Sequence, residues 1–286
     1  MFIQLYACAL LGIEATKITI EVNTDKGFKF FLVGLPDSAV KESEHRIEAA
    51  LNNIGYRKPG KKIIINMAPA DIRKEGSAYD VTLALGILMA SNQIDAPLAQ
   101  DYIIMGELSL NGDLQPVKGA LSIAIKAKEL GFKGVIFPQT NAKEASFVEG
   151  IQVLGADNLI NIIHFFENED HVLTEYTSTW DDISKPIASD YILGFEDVKG
   201  QQNIKRALEI AAAGGHNVLL IGPPGAGKTM LARCLPTILP PMTMHEAIET
   251  TKIHSVIGKS NKKEGILRTR SFRSPHHTIS DVVVLM

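Results

Sequence analysis

The sequence predicts an α/β protein of two domains, and three observations carry that expectation. Segments with the two-residue period of strands alternate with segments carrying a helical apolar face over residues 1–166. Residues 167–190 lose both periods and turn acidic, with Glu167, Glu169, Asp170, Glu175, Asp181, Asp182 and Asp190 against the single Lys185. Beyond them, residues 217–235 read as strand, glycine-rich turn and helix. The chain has 286 residues, 45% hydrophobic and 21% charged, which suits two cores and excludes a disordered polymer. A net charge of −3 gives no global basic field of the kind that marks nucleic-acid binders.

The elements of the first half follow in order. The apolar run Leu5–Leu11 includes Ala7 and Ala9 at the spacing of a leader-peptide cleavage site, but the first basic side chain is Lys17, so the run reads as a buried strand. Residues 17–22 alternate and read as a half-buried strand, and residues 29–33 as another, closed by Gly34-Leu35-Pro36-Asp37. Asp37 or Ser38 caps one helix whose face carries Val40, Ile47, Ala50, Leu51 and Ile54, stopping at Gly55. Residues 63–65 form a short strand, and Asp80 opens an apolar helix through Met89. Residues 102–110 read as one strand, with Asn111-Gly112 as a hairpin signal. A helix over 120–130, a strand over 135–137, a helix over 142–148, a strand over 151–154 and a helix over 159–166 complete this half. Residues 167–190 are expected to be a solvated linker. In the second half, residues 204–213 read as a helix, 217–221 as a strand and 228–235 as a helix.

No apolar run reaches membrane-spanning length, and Cys8 and Cys234 have no CxxC or histidine partner. The expectation is a protein with reduced thiols, in the cytoplasm.

Gly222, Pro223, Pro224, Gly225, Ala226, Gly227, Lys228 and Thr229 spell GxxxxGK[ST] between a strand and a helix. Such a loop grips phosphate for physical reasons. Glycines let successive N–H groups turn inward, and the helix start adds partial positive charge. Lys228 is expected to reach the β- and γ-phosphates of ATP and the Thr229 hydroxyl to ligate Mg²⁺. Hydrolysis needs an acidic residue after an apolar strand. The acids that follow Thr229 are Glu246, Glu249, Glu264 and Asp281, and none has that setting, since Asp281 precedes the apolar residues 282–286. No catalytic residue is therefore assigned.

Further stretches carry a resemblance. Residues 198–201 (VKGQ) and 205–217 (KRALEIAAAGGHN) lead into the phosphate loop, followed by 239–241 (LPP), 251–255 (TKIHS) and 272–281 (FRSPHHTISD). Earlier come 33–37 (VGLPD), 40–43 (VKES), 68–76 (APADIRKEG) and 106–108 (GEL). Together these resemble the ComM/YifB family of magnesium-chelatase-like AAA+ ATPases. The resemblance implies a Lon-protease-like α+β domain over 1–166, a linker over 167–190 and the first part of a P-loop AAA+ α/β domain over 191–286. It implies ATP and Mg²⁺ as cofactors, hexameric rings, no membrane, and an intact form that is an ATP-driven DNA helicase or branch-migration motor in DNA uptake and recombination. The family's Walker B strand, sensors and arginine finger fall beyond this segment, so the chain is expected to bind ATP and scarcely hydrolyse it. A chelatase-like motor acting on a protein or metallation partner is the alternative.

A Lon-like half also raises a Ser–Lys peptidase. Aligned on Gly76, the nucleophile position falls at Ala78, with Ser77 one residue away, and the base position falls at Leu121, which takes no proton. Lys118 and Lys126 are expected to emerge elsewhere, so a binding or assembly domain is favoured. His276-His277 lacks further ligands for zinc and reads as a loop of the ATPase clade. The basic run from Lys252 to Arg273 is either a solvated loop or a sequence-independent contact to DNA phosphates.

Overall fold

A computed structural model describes residues 1–167, 172–180, 193–259 and 265–274. The chain divides into two compact units, 1–180 with 248–267, and 181–247 with 268–286. The division departs from chain order, because residues 248–267, read from sequence as part of the second domain, group with the first.

The first unit is built on an eight-stranded mixed sheet in the order β10-β9-β8-β5-β1-β2-β4-β3. β1 (Phe2–Leu11) and β2 (Glu14–Asp25) form a long antiparallel pair in register from Phe2 opposite Asn23 to Leu11 opposite Glu14. β4 (Lys62–Ala68) runs antiparallel to β2, and β3 (Phe30–Val33) lies parallel to β4 at the edge. On the other side of β1 come β5 (Tyr102–Ile104), β8 (Gly134–Pro138) and β9 (Gln152–Ala156), all parallel to it or to one another.

Helices cover both faces. α3 (Asp80–Ala90) is buried on every side, which its unbroken apolar sequence requires. A Cβ on its Gly86 would meet Leu5 and Val22, whereas one on Gly119, at the head of α4 (Ala120–Glu129), would meet Leu10. Successive side chains of β1 alternate, so α3 and α4 pack on opposite faces. α5 (Gln139–Ala145) and α6 (Leu159–Phe166) complete the layer beside β8 and β9.

Several boundaries move from the sequence expectation. The helix expected to start at Asp37 or Ser38 is two, α1 (Ser38–Lys41) and α2 (Ser43–Asn53), meeting at Glu42. Asp37 is the cap, its carboxylate accepting from Val40 N at 2.8 Å. The strand expected over 102–110 is also two, β5 and β6 (Glu107–Leu108), because Gly106 leaves the sheet to exchange backbone bonds with Ala78 and Val81. β6 pairs with β7 (Leu114–Gln115) across the expected Asn111-Gly112 turn, with Gly112 at φ 90°. α5 starts earlier than expected, directly after Pro138. The expected solvated linker is in part sheet: β10 (Thr174–Glu175) pairs antiparallel with β9, and Ser178 bonds Ser146.

In the second unit, α7 (Gln202–Gly214) and α8 (Lys228–Cys234) pack Leu208, Leu231 and Cys234 against Phe195 and Val198. Residues 217–221 form no strand, and Leu219 and Ile221 are 83% and 87% exposed. A strand of this apolar type is stable only between neighbours, and the described residues of this unit supply none. α9 (Met244–Val256) follows, its residues from 248 onward grouping with the first unit, where the sequence suggested the start of a solvated basic loop. The strand-like residues 282–286 and the His276-His277 pair lie outside the described residues.

Candidate functional site

The phosphate loop of the second unit is assembled from its own backbone. Gly225 and Gly227 take φ 78° and 79°, a left-handed region costly to any residue with a Cβ. Gly227 caps α8, and Lys228 and Thr229 are its first two residues. The N–H groups of that first turn have no helical acceptor of their own. Nothing lies within 4 Å of a Cβ built on Gly225, so the mouth of the loop is open. Lys228 curls back and donates from Nζ to the carbonyls of Gly222 and Pro223, both at 2.8 Å. Its ammonium therefore sits at the loop. Thr229 is exposed at the same end.

Gln201 is a residue to which the sequence reading gave no role. It stands in the left-handed region at φ 53°, heads α7, and donates from Nε2 to the Ala226 carbonyl at 3.2 Å. It thus ties the start of α7 to the loop. The signal was its place in the VKGQ stretch, but a side chain reaching across 25 positions has no periodicity to reveal it.

The first unit holds a cleft of about 740 Å³ beside the ends of β1 and β5. Ser77, Glu107 and Lys118 stand in its wall, so Lys118 is on the same cleft as Ser77 and not apart from it as the sequence suggested. The Ser77 hydroxyl donates to the Glu107 carboxylate. Leu121 is fully buried, and its backbone N donates to the buried Glu144 at 3.1 Å. Lys126 pairs with Glu129 at 2.9 Å. Ser77 thus faces a carboxylate, and the position at which the sequence resemblance expects a base is the buried Leu121. Cys8, also on this wall, is buried, and burial pushes its thiol up to about 12, so it stays protonated.

Two members of the basic run are held in ion pairs. Lys252 pairs with Glu14 at 2.6 Å, and Arg270 grips Glu246 through two contacts at 2.8 and 3.0 Å. Backbone and hydroxyl donors from Thr243, together with Arg270, hold the Glu246 carboxyl down at about 2. Lys262 and Lys263 lie outside the described residues. Among the described residues, no cluster of His, Cys, Asp and Glu could hold a metal.

Residues 20–141 match the family described as subunit ChlI of Mg-chelatase, and residues 194–285 match that described as magnesium chelatase, subunit ChlI. YifB of Escherichia coli strain K12 is 43% identical over 273 residues, covering 95% of this chain and 52% of that protein. The competence protein ComM of Haemophilus influenzae is 40% identical over 276 residues, covering 96% and 54%. The chain belongs to the ComM/YifB family of magnesium-chelatase-like proteins. It spans about half the length of these relatives. A more distant likeness, 26% over 174 residues, is to the archaeal Lon protease of Methanocaldococcus jannaschii. Within this family the α/β class expected from sequence holds for the chain. No described helix is long and apolar enough to cross a membrane.

Proposed function

We propose that this family member binds ATP with Mg²⁺ through Gly222, Pro223, Pro224, Gly225, Ala226, Gly227, Lys228 and Thr229. The observation that supports the reading is the loop itself: two left-handed glycines, a free helix start and an ammonium in one place. The residues fit the nucleotide. Backbone N–H groups from Gly225 to Thr229 hold the phosphates, Lys228 exchanges its two carbonyl contacts for phosphate oxygens, and Thr229 presents its hydroxyl to the metal. Bound Mg²⁺ supplies charge neutralisation between the phosphates. Thermal unfolding with and without ATP–Mg²⁺ tests this. Binding to the folded form alone stabilises by about 2.7 kcal/mol at a hundredfold excess over Kd. Lys228→Ala removes that shift, and an equal shift in the variant refutes the assignment.

The intact protein is then an ATP-driven motor, assembled as a hexameric ring in the cytoplasm and acting on DNA. The names of two relatives favour DNA: ComM is a competence protein, and the DNA repair protein RadA of Escherichia coli is 33% identical over 86 residues. The match of both halves to a magnesium-chelatase subunit favours a second reading, a motor that remodels a protein or metallation partner. ATP-dependent retention of forked DNA by the full-length protein supports the first reading. A co-purifying protein partner, with no DNA retention, supports the second.

A further inference from the structure

The cleft of the first unit contains an unfinished sheet edge. Thr24 N bonds Met1 O at 3.2 Å, so odd-numbered residues along this strand face β2 and the even-numbered Tyr6, Cys8 and Leu10 turn their N–H and C=O toward β5. β5 meets β1 at a single register position, Tyr6 opposite Ile103. The Ile104 carbonyl is engaged by the Thr82 hydroxyl, and the chain then turns away through Met105 and Gly106. Cys8 N is left with the Met105 thioether at 3.3 Å, a weak acceptor, and Leu10 has no strand beside it. Cys8, Ala9, Leu10 and Gly12 line the cleft, between Ser77–Tyr79 before α3 on one side and Pro116–Lys118 before α4 on the other. The position is the carboxyl end of parallel strands flanked by helices on opposite faces, where open α/β sheets bind ligands.

We propose that the edge of β1 at Cys8 and Leu10 takes up an extended polypeptide segment of a partner protein as an added strand in this cleft. The geometry selects the chemistry. The two residues present donor–acceptor pairs about 6.8 Å apart on one side, a repeat that extended main chain matches and a compact metabolite does not. The volume of about 740 Å³ holds a short segment with its side chains. Asp37, Glu75 and Glu107 outnumber Arg73 and Lys118 around the cleft, which disfavours a nucleic-acid strand. The Ser77 hydroxyl on this wall is held by Glu107. The proposal does not depend on the ATP reading.

The test is amide hydrogen exchange on the 286-residue chain with a position-degenerate hexapeptide library at millimolar concentration, with oligothymidylate as the competing probe. The library is expected to slow exchange at Cys8 and Leu10 by about tenfold or more, while Phe2 to Tyr6 are unchanged. Peptides recovered from the complex are then N-methylated at single positions. Methylation of the amides that face β1 is expected to abolish the protection, and methylation of the outward ones to leave it. Leu10→Pro removes one donor without touching the β2 ladder and is expected to lose the protection while circular dichroism stays native. If that variant unfolds, the methylated peptides decide alone. No protection by the library, protection by oligothymidylate instead, or indifference to N-methylation overturns the proposal.

Discussion

The ion pair of Arg46 with Asp80 makes the sharpest stability prediction. Arg46 donates to the Asp80 carboxylate from Nε at 2.7 Å and from Nη2 at 3.0 Å, and Leu108 N adds a third contact at 3.2 Å. The Asp80 side chain is 1% exposed. The pair links α2 to the head of α3 and to β6, and so holds one wall of the cleft. Arg46→Ala leaves a buried carboxylate with one backbone donor, a loss of about 3–5 kcal/mol at neutral pH. Burial already raises the Asp80 carboxyl above its ordinary value, against the lowering effect of Arg46. The sign of the pH dependence follows. Between the unfolded and the raised folded pKa the native state holds more protons, so stability falls as pH rises through that window. Without Arg46 the folded value rises further and the window widens upward. The variant's deficit is therefore expected to be larger at about pH 7 than at about pH 4, because acidification moves Asp80 toward its protonated form. Urea titrations followed by far-UV circular dichroism at both pH values measure it. A deficit below about 1 kcal/mol at pH 7, or one that grows on acidification, refutes the reasoning.

Three further outcomes are expected. Gly34→Ala destabilises the first unit by more than about 1 kcal/mol in the same titrations, because Gly34 sits at φ 103° and a Cβ there meets the Met67 carbonyl oxygen at 2.2 Å. Ser255→Ala removes a hydroxyl donor from the buried Glu144 and lowers the melting temperature, at a cost of about 1–3 kcal/mol, with faster amide exchange over residues 248–259. The chain of residues 1–286 releases phosphate from ATP no faster than its Lys228→Ala variant, with or without DNA; DNA-stimulated turnover lost in that variant would mean that Glu264 or Asp281 serves as the missing acid.

The phosphate loop was legible in the sequence because its chemistry is local: eight consecutive residues hold the glycines, the ammonium and the hydroxyl. The strands of the first unit were legible for a related reason, since each alternates or is uniformly apolar according to the faces it buries. Element ends were less legible. Nothing in the one-dimensional pattern marks Gly106 as the point where β5 yields to β6, because that break is made by backbone bonds to Ala78 and Val81 in another segment. The edge strand Thr174–Glu175 within the acidic stretch was not legible for the same reason: two residues are too short to show a period, and β9 supplies the partner.

The sequence by itself determined the α/β class, the strand and helix order of the first unit, and the glycine-rich turn of residues 222–229 at the head of a helix. Each of these depends on residue types at short spacing, where covalent geometry alone sets which groups meet. Only the tertiary structure decided that Lys118 and Ser77 share one cleft, that Lys252 and Arg270 are held by Glu14 and Glu246, and that residues 248–267 belong with the first unit. It alone decided, too, that β1 runs on past its neighbour and leaves Cys8 with the Met105 thioether and Leu10 with no strand beside it. These are contacts between segments up to 238 positions apart. Their formation depends on how the whole sheet twists and which helix reaches which strand, and no local pattern encodes that choice.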